Sequence, residues 1–268
     1  MSTIQNLKSE MIEQRLRGAA KECRVSAFSL LASTNATAKQ MAADGAQNGS
    51  VVIAERQSAG RGRMGRSFFS PDGTGLYMSL IVRRDMPPEH ATRLTTAAAV
   101  ATAQAIEHIS HREACIKWVN DIYLDGKKAC GILTEGGFCA ASSGMEYAVI
   151  GIGVNLAPPE GGFPSDISNI ATAVFDCPSA ACGMREALAA EILNRLVPML
   201  DDLTSPDILD EYRRRSLIVE QEVLVHRADA PSRTAYTMGV DEEFRLVVRY
   251  EDGTTESLES GEVSVRAK

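Results

Sequence analysis

The spacing of apolar residues along the chain changes at Leu217. After this residue, apolar and polar positions alternate in short runs, which is the pattern of β-strands with one buried face. The predicted strands cover residues 222–226, 232–240, 245–250, 254–258 and 263–266. Asp252-Gly253, between two of these strands, is a strong signal for a hairpin turn. This pattern predicts a small β-barrel over residues 218–268, after a main body of residues 1–217.

The main body mixes helices with strands. We predict helices over residues 4–22, from Ser33-Thr34-Asn35 to residue 43, and from Pro87-Pro88 to residue 109. Predicted strands cover residues 51–55, 76–82, 115–119, 128–135 and 147–156, with Asp125-Gly126 as the hairpin turn between the third and the fourth. Helices are predicted to dominate residues 167–216. This mixture predicts a mixed α/β body.

Composition argues against membrane-spanning and exported proteins. The most apolar stretch, residues 95–109, is interrupted by Thr102, Gln104 and Glu107, so it falls short of the ~18 apolar residues of a membrane helix. The N-terminus has no apolar signal region. The six cysteines form no CxxC pair and predict reduced thiols in a cytoplasmic protein. The net charge of −7 disfavours nonspecific binding to nucleic acid.

A run of arginines and glycines follows the strand predicted at residues 51–55. This Arg-Gly loop, Gly60-Arg61-Gly62-Arg63-Met64-Gly65-Arg66, satisfies the GxGxxG pattern of dinucleotide sites. That fingerprint must open a helix, however, whereas this run leads into the turn residues Ser70-Pro71-Asp72-Gly73. Interleaved arginine and glycine suit a mobile loop that closes on an anionic ligand, because glycine permits close approach and arginine donates forked hydrogen bonds. A solvated loop and an RNA contact are the alternatives.

A second segment lies at the end of a predicted strand. Lys117, Asn120 and Asp121 would place a cation, an amide and a carboxylate at one rim of the sheet. Ligands of α/β proteins bind at such rims. A strand end that is capped by its own side chains is the alternative interpretation.

Two further segments lie within predicted strands. A lysine that enters an apolar strand, as Lys127 and Lys128 do, needs an anionic partner unless its long side chain reaches solvent. Gly151 and Gly153 mark either a ligand against the backbone or close packing between two elements. The sequence does not decide whether these lysines pair with an anion or reach solvent, or whether these glycines face a ligand or pack against another element.

These segments occur in one order along nearly the whole chain, and together they are far more specific than any one of them. They are Ser33-Thr34-Asn35, Gln57-x-x-Gly60-Arg61-Gly62-Arg63, Lys117-Trp118-x-Asn120-Asp121, Lys128-x-x-Gly131-Ile132-Leu133, Gly151-Ile152-Gly153-Val154-Asn155 and Gly261-Glu262-Val263-Ser264. Over residues 25–266 the chain resembles the biotin protein ligases, also called biotin–[acetyl-CoA-carboxylase] ligases.

The resemblance implies an α+β, mixed-sheet catalytic domain of the biotin/lipoate ligase type that binds biotin and ATP, over residues 1–217. A small C-terminal SH3-like barrel would follow over residues 218–268. It also implies two reactions: biotin and ATP, the latter with Mg²⁺ as a substrate complex, give biotinyl-5′-AMP, and the biotinyl group then passes to a lysine. That lysine belongs to the biotin carboxyl carrier domain of acetyl-CoA carboxylase or a related carboxylase. Further expectations are a homodimer through the central sheet and no tightly bound metal.

The resemblance also assigns roles to residues. The catalytic set is Lys128, Arg63 and Asp121, with Asp121 as a candidate Mg²⁺ ligand. The biotin-binding set is Ser33, Thr34, Asn35, Gln57, Gly60, Arg61, Gly62, Arg63, Lys128 and Gly131. The nucleotide-binding set is Arg61, Arg63, Arg66, Phe68, Lys117, Asn120 and Asn155.

The chain also departs from the family pattern. Val119 stands where many members have proline, Phe68 stands where tryptophan is frequent, and a glycine that the family often has near Glu243 is absent. Only about thirty residues precede Ser33, too few for the N-terminal DNA-binding domain of bifunctional members, so we expect a short form that does not bind DNA. A lipoate or octanoate protein ligase of the same fold and a nonenzymatic RNA or protein adaptor are the alternative functions.

Overall fold

The computed structural model describes residues 7–84, 86–87, 90–138, 145–227, 230–259 and 263–267. These residues form two β-sheets and five α-helices. The helices are α1 (Ser9–Glu13), α2 (Thr34–Ala43), α3 (His90–Ser110), α4 (Met184–Met199) and α5 (Pro206–Arg214).

The larger sheet contains seven strands and confirms the α+β prediction with a mixed sheet. The strands are β1 (Arg24–Leu31), β2 (Ser50–Gln57), β3 (Gly75–Val82), β4 (Cys115–Lys117), β5 (Asp121–Leu124), β6 (Lys127–Phe138) and β7 (Met145–Asn155). They lie in the order β1-β2-β3-β7-β6-β5-β4. β1 and β2 are parallel, and the other neighbours are antiparallel. All residues of the central strand β3 are buried.

Helix α3 packs between this sheet and α4. Half of its buried positions are alanine, whose small side chain lets the helix approach its neighbours closely. Leu94 and Ile106, which are fully buried near the two ends of α3, join the apolar core beneath the sheet. Within the described ranges, no helix is long and apolar enough to span a membrane.

The smaller sheet contains the five C-terminal strands that the alternation predicted. They are β8 (Glu222–Arg227), β9 (Ala230–Val240), β10 (Leu246–Tyr250), β11 (Thr255–Leu258) and β12 (Val263–Ala267). All neighbours are antiparallel, in the order β11-β10-β9-β8-β12. β11 and β12 do not pair in the described part of the chain, so this sheet is open and closure into a barrel is not seen. The division into domains at residues 217 and 218 stays a prediction.

Two strands of the larger sheet escaped the sequence analysis. β1 exposes Phe28 and Leu30 at a sheet edge, so its residues do not alternate cleanly between polar and apolar. β5 is four residues long and was read as part of the strand and turn before it. The Asp125-Gly126 turn is confirmed, with φ of 49° and 77°, but it joins β5 to β6.

Two helix predictions were wrong in extent. Within residues 7–22 the predicted N-terminal helix is divided, because α1 ends at Glu13 and a 3₁₀ helix begins at Gly18, whose φ is +52°; residues 4–6 lie outside the described residues. Residues 167–183 form turns rather than helix. Their backbone is bound to the strands instead: Thr172 N–H donates to Lys128 O, and Val174 N–H donates to Asn155 O, both at 2.9 Å.

Candidate functional site

A pocket lies against strands β6 and β7, beside the N-terminus of α2, the end of β2 and the Arg-Gly loop. It contains about 450 Å³ of space between atoms, part of which is open solvent. The lining residues are Ser33, Thr34, Asn35, Gln57, Arg61, Gly62, Arg63, Phe68, Asn120, Lys128, Gly131, Ile132, Leu133, Gly151, Ile152 and Gly153. The fold therefore brings together residues from five separate motifs.

One end of the pocket is polar and carries no charge. Thr34 N–H donates to Gln57 Oε1 at 2.8 Å, and Gln57 Nε2 donates to Ser70 Oγ at 2.8 Å. These bonds fix the Gln57 amide in one orientation. Ser33 is only 3% exposed, and its hydroxyl takes part in none of the hydrogen bonds between described residues. Ser33 lines the pocket, and a hydroxyl there can both donate to and accept from a ligand.

Asn35 joins this end to a charged cluster. Its Oδ1 lies 2.6 Å from the Ser79 hydroxyl, and its Nδ2 donates to Glu135 Oε2 at 3.0 Å. The same carboxylate pairs with Lys39 at 3.2 Å and with Arg61 at 3.3 Å. Burial alone would raise the pKa of Glu135, but the hydrogen bonds from Asn35 and Lys39 hold it below its ordinary value. Glu135 is therefore an anion that anchors the first arginine of the Arg-Gly loop.

The other end of the pocket is cationic. Arg63 NH1 donates to Asn120 Oδ1 at 2.8 Å, and Lys128 Nζ lies 2.7 Å from Asp121 Oδ1. Asn120 Nδ2 donates to the same Asp121 oxygen at 2.9 Å, which links the two pairs. Burial lowers the pKa of Arg63, although the Asp121 carboxylate opposes this change. Each cation thus has a neighbouring acceptor that holds it in place before an anion arrives.

Two glycines of β7 make room for side chains of the pocket. A Cβ at Gly153 would lie 2.7 Å from the Phe68 ring, and one at Gly151 would lie 2.0 Å from Asn35 Oδ1. Close packing between elements, one of the two alternatives for these glycines, is therefore what the structure contains. The packing serves the pocket nonetheless, because Phe68 and Asn35 both line it.

Five of the predicted site residues do not line the pocket. One of them is Asp121, which reaches the site only through its pair with Lys128. Gly60 lies behind it, where a Cβ would be 2.3 Å from Phe68 O. Arg66 is exposed, and Lys117 lies over the Tyr123 ring at 5.5 Å. Asn155 Nδ2 donates to Thr172 O at 3.1 Å. Roles for these five in ligand binding stay predictions.

The sequence analysis missed several residues of the site. Glu135 and Ser79 look like ordinary strand residues, and only the fold brings them to Asn35 and Arg61. Leu133 lies two residues after Gly131 on β6, so strand periodicity from the recognised glycine would have found it. The Gly261-Glu262 part of the last motif lies outside the described residues.

The site offers little to a resident metal ion. No group of three or more potential metal ligands occurs among the His, Cys, Asp and Glu residues of the described ranges. Asp121 brings a single carboxylate, one oxygen of which already accepts from Lys128 and Asn120. Burial raises the pKa of the Cys130 thiol, so this neighbour of Lys128 stays protonated. A single carboxylate suits a Mg²⁺ ion whose other ligands are phosphates and water.

Comparison with known proteins agrees with this geometry. Residues 27–155 match the model of the biotin/lipoate A/B protein ligase family. A biotin–[acetyl-CoA-carboxylase] ligase of Paracoccus denitrificans is 30% identical over 222 residues, which cover 81% of this chain and 90% of that protein. The bifunctional ligase/repressor BirA of Bacillus subtilis is 43% identical over 145 residues, which cover 54% of this chain but only 44% of that protein's length.

Solved structures share the fold. A biotin protein ligase of Aquifex aeolicus in complex with biotin and ATP superposes with a TM-score of 0.71 at 22% identity, covering 91% of this chain and 99% of that one. A biotin protein ligase of Leishmania major in complex with biotinyl-5-AMP gives a TM-score of 0.60 at 23% identity, covering 88% and 98%. The sequence motifs, the pocket and the match over most of the Paracoccus protein agree, and the chain belongs to the biotin/lipoate A/B protein ligase family.

Proposed function

We propose that this protein is an ATP-dependent biotin–[biotin carboxyl carrier protein] ligase. The observation that carries the proposal is that one pocket is lined both by neutral polar side chains that bind one another and by two cations that are held by Asn120 and Asp121. The ureido ring of biotin is neutral and both donates and accepts hydrogen bonds, and Ser33, Thr34 and Gln57 offer neutral partners for it. The carboxylate at the other end of biotin would meet Arg63 and Lys128.

The first reaction activates the carboxylate. A carboxylate oxygen of biotin attacks the α-phosphorus of ATP, a P–O bond forms, and the bond to the pyrophosphate leaving group breaks. Negative charge gathers on the phosphoryl oxygens in the transition state. Fixed cations therefore stabilise the transition state more strongly than they stabilise the ground state. Arg63 and Lys128 are positioned for this because Asn120 and Asp121 hold them at the pocket wall. Mg²⁺ enters with ATP as part of the substrate, and Asp121 is its candidate protein ligand.

The second reaction transfers the biotinyl group. The neutral ε-amine of a carrier lysine attacks the carbonyl carbon of biotinyl-5′-AMP, an amide bond forms, AMP leaves, and the amine loses a proton. The mixed anhydride must be kept from water until the carrier arrives, and an ordered Arg-Gly loop over the pocket would provide this shield. The acceptor would be the biotin carboxyl carrier domain of acetyl-CoA carboxylase or a related carboxylase.

The proposal keeps the site residues assigned by resemblance. Biotin contacts would come from Ser33, Thr34, Asn35, Gln57, Gly60, Arg61, Gly62, Arg63, Lys128 and Gly131. Nucleotide contacts would come from Arg61, Arg63, Arg66, Phe68, Lys117, Asn120 and Asn155. The residues of these sets that do not line the pocket would contact a ligand only if the Arg-Gly loop, or the segment that carries them, moves when ATP binds.

The same family supports finer proposals about the whole protein. The C-terminal sheet would close as an SH3-like barrel. The edge strand β1, with Phe28 and Leu30 exposed, supports a homodimer through the larger sheet. Free cysteines throughout the described residues support a reducing, cytoplasmic location. The net charge of −7 supports the absence of DNA binding.

Pyrophosphate exchange tests the proposal against both alternatives. The protein is incubated with MgATP and labelled pyrophosphate, together with biotin, lipoate or no acid. We expect label in ATP with biotin only, and transfer to a carrier domain once one is added. Exchange with lipoate instead of biotin would favour the lipoate ligase. The two acids distinguish the functions because the dithiolane ring of lipoate, unlike the ureido ring of biotin, has no nitrogen that can form a hydrogen bond. No exchange with either acid would favour the nonenzymatic adaptor.

A further inference from the structure

Three consecutive residues, Trp118, Val119 and Asn120, attach to three different parts of the fold. The Trp118 indole N–H donates to Phe244 O at 2.8 Å, in the turn that joins β9 to β10 of the smaller sheet. Val119 O accepts from the Tyr212 hydroxyl of α5 at 3.2 Å. The Asn120 side chain receives Arg63 of the Arg-Gly loop, as described above. This segment, residues 118–120, is therefore a junction between the C-terminal sheet and the cationic end of the pocket.

The turn that meets Trp118 is rigid. Asp241 Oδ1 accepts from the backbone N–H groups of Glu243 and Arg245 at 3.1 and 2.8 Å, and its other oxygen pairs with the Arg245 side chain at 2.7 Å. Phe244 has a φ of +60°, a left-handed conformation that is costly for an aromatic residue and needs support from its surroundings. Its carbonyl is thereby held in one direction, towards Trp118.

The contact is also buried and well packed. Trp118 is 7% exposed and Phe244 is 1% exposed. The Phe244 ring meets the Tyr212 ring edge to face, with 5.4 Å between the centroids. An indole has one donor and no acceptor, so its single N–H must find this carbonyl or remain unsatisfied in the core. A group that is buried, rigidly held and two residues from Asn120 can set where Asn120 lies.

We propose that Trp118 is a positioning residue, through which the turn at residues 241–245 holds Asn120, and with it Arg63, in the geometry that binds the nucleotide. The inference rests on the proposed function, because it concerns the nucleotide end of that pocket. The neutral end depends on other elements, since Thr34, Gln57 and Ser70 bind one another and lie on α2, β2 and the loop after it. Loosening Trp118 should therefore weaken ATP binding more than biotin binding, because biotin keeps its contacts with Ser33, Thr34 and Gln57 and would meet Arg63 only through its carboxylate.

The kinetic test is Trp118→Phe, which keeps an aromatic ring and removes the indole N–H. We expect KM for ATP to rise roughly tenfold, the equivalent of one buried hydrogen bond, and KM for biotin to stay within about twofold. Tyr250→Phe is the matched control, since it removes a hydroxyl bonded to Glu256 within the same C-terminal sheet. It should leave both KM values unchanged. An unchanged KM for ATP in Trp118→Phe, or equal rises for both substrates, would overturn the proposal.

Tryptophan fluorescence tests the contact between Trp118 and Phe244 without a measurement of activity. It also keeps Trp118 in place, so it does not depend on whether a Trp118 variant folds. Trp118 is the only tryptophan in the chain, so all tryptophan emission reports on this contact. In Phe244→Leu we expect red-shifted emission and stronger quenching by acrylamide than in the native protein or in Tyr250→Phe. Equal quenching in the three proteins would overturn the proposal even if biotin-dependent exchange is normal. If the native protein shows no exchange, the proposed function fails, and the fluorescence comparison still tests the contact.

Discussion

Lys127 and Lys128 are adjacent in sequence but differ sharply in their surroundings. Lys128 lines the pocket with its Nζ 2.7 Å from Asp121, and its backbone N–H and C=O bind Ile170 O and Thr172 N–H at 2.8 and 2.9 Å. Lys127 is exposed. We predict that Lys128→Ala lowers biotin-dependent pyrophosphate exchange by about 100-fold or more, because a cation that stabilises transition-state charge is lost. Lys127→Ala should retain nearly native exchange, and equal losses in the two variants would contradict the assignment.

Glu135 is the second residue that merits a substitution. Its carboxylate pairs with Arg61, but the side chain does not line the pocket. Glu135→Gln keeps an oxygen that can accept from Asn35 and removes the charge that holds Arg61. We predict weaker binding of biotinyl-5′-AMP, by about two- to tenfold, because the guanidinium must then be ordered by the ligand itself.

Lys39→Met is the control for this substitution. It removes the other cation paired with Glu135 and leaves Arg61 in place. Dissociation constants for the adenylate, measured by calorimetry, should then stay close to the native value. A Glu135→Gln protein that binds the adenylate as tightly as the native protein would show that the ion pair is incidental.

These residues show what sequence can and cannot reveal about the site. Arg63 and Lys128 belong to patterns that stand out locally, a run of arginine with glycine and a lysine entering an apolar strand, and the resemblance to a known family decided between their alternative uses. Glu135 has no such pattern. Its role comes from a helix residue, Asn35, and a loop residue, Arg61, that are far away in sequence and meet it only after the sheet has assembled.

At the scale of elements, two arginines bind the Arg-Gly loop to the rest of the fold, and the tip of the loop after the second arginine is exposed. Arg61 binds Glu135 and Arg63 binds Asn120, whereas Met64 at the tip is 58% exposed and has a φ of +54°. We predict faster hydrogen exchange over residues 60–66 in the empty protein than in the complex with biotinyl-5′-AMP. The ligand adds an anion between the arginines, and charge-assisted hydrogen bonds offset the cost of ordering glycine.

Arg63→Ala tests the same loop through its chemistry. The adenylate carries a phosphate and biotin carries none, so the variant should lose more affinity for the adenylate than for biotin. It should also release or hydrolyse the intermediate before transfer, which separation of free adenylate from the protein would detect. Two results together would identify the loop as a rigid structural turn. These are equal hydrogen-exchange rates over residues 60–66 with and without biotinyl-5′-AMP, and normal retention of the adenylate by Arg63→Ala.

Helices α3 and α5 are joined by a network whose charge depends on pH. The Arg215 side chain, 4% exposed, binds Glu107 of α3 at 2.6 Å and Glu211 of α5 at 2.9 Å. A hydrogen bond from Arg214, with those from Gln104 and Arg215, lowers the pKa of Glu211 to about 2 against the opposing effect of burial. A carboxyl group whose pKa is lower in the folded protein contributes stability above its unfolded pKa of ~4.3.

That contribution should disappear as the pH falls from about 4.3 to about 2. We predict that the free energy of unfolding of the native protein declines in this range more steeply than that of Glu211→Gln, which has no proton to gain at this position. Denaturant titrations at several pH values measure the difference. Parallel profiles would mean that Glu211 titrates alike in the folded and unfolded chains.

The sequence predicts a helix or strand correctly where the residues of that element themselves determine its structure. The five C-terminal strands alternate regularly, and each was found close to its observed bounds. β1 was missed because its exposed Phe28 and Leu30 spoil that alternation. The sequence predicts helix over residues 167–183, but their backbone binds the ends of β6 and β7, a tertiary interaction that no local pattern reports.

At the scale of the whole molecule, the two sheets share one apolar core. Val223, Phe244 and Leu246 of the C-terminal region belong to the same buried cluster as the residues beneath the larger sheet. Two polar contacts reinforce this joint: Arg213 Nε donates to Val240 O at 2.8 Å, and Arg93 NH2 donates to Glu242 O at 3.1 Å. Removal of the smaller sheet would therefore uncover core residues rather than detach an independent unit.

A chain that ends before Val219 tests this expectation. It would expose Trp118 and Tyr212, which are buried in the full chain, and would lose every contact of the turn at residues 241–245. Since each large apolar side chain transferred to water costs about 1.5–3 kcal/mol, we predict a lower melting temperature and impaired ligation. Thermal unfolding followed by circular dichroism shows whether the shortened body folds, and transfer of biotin to a carrier domain measures its activity. A folded, shortened chain that ligates at the native rate would show that the C-terminal sheet contributes nothing to the reaction.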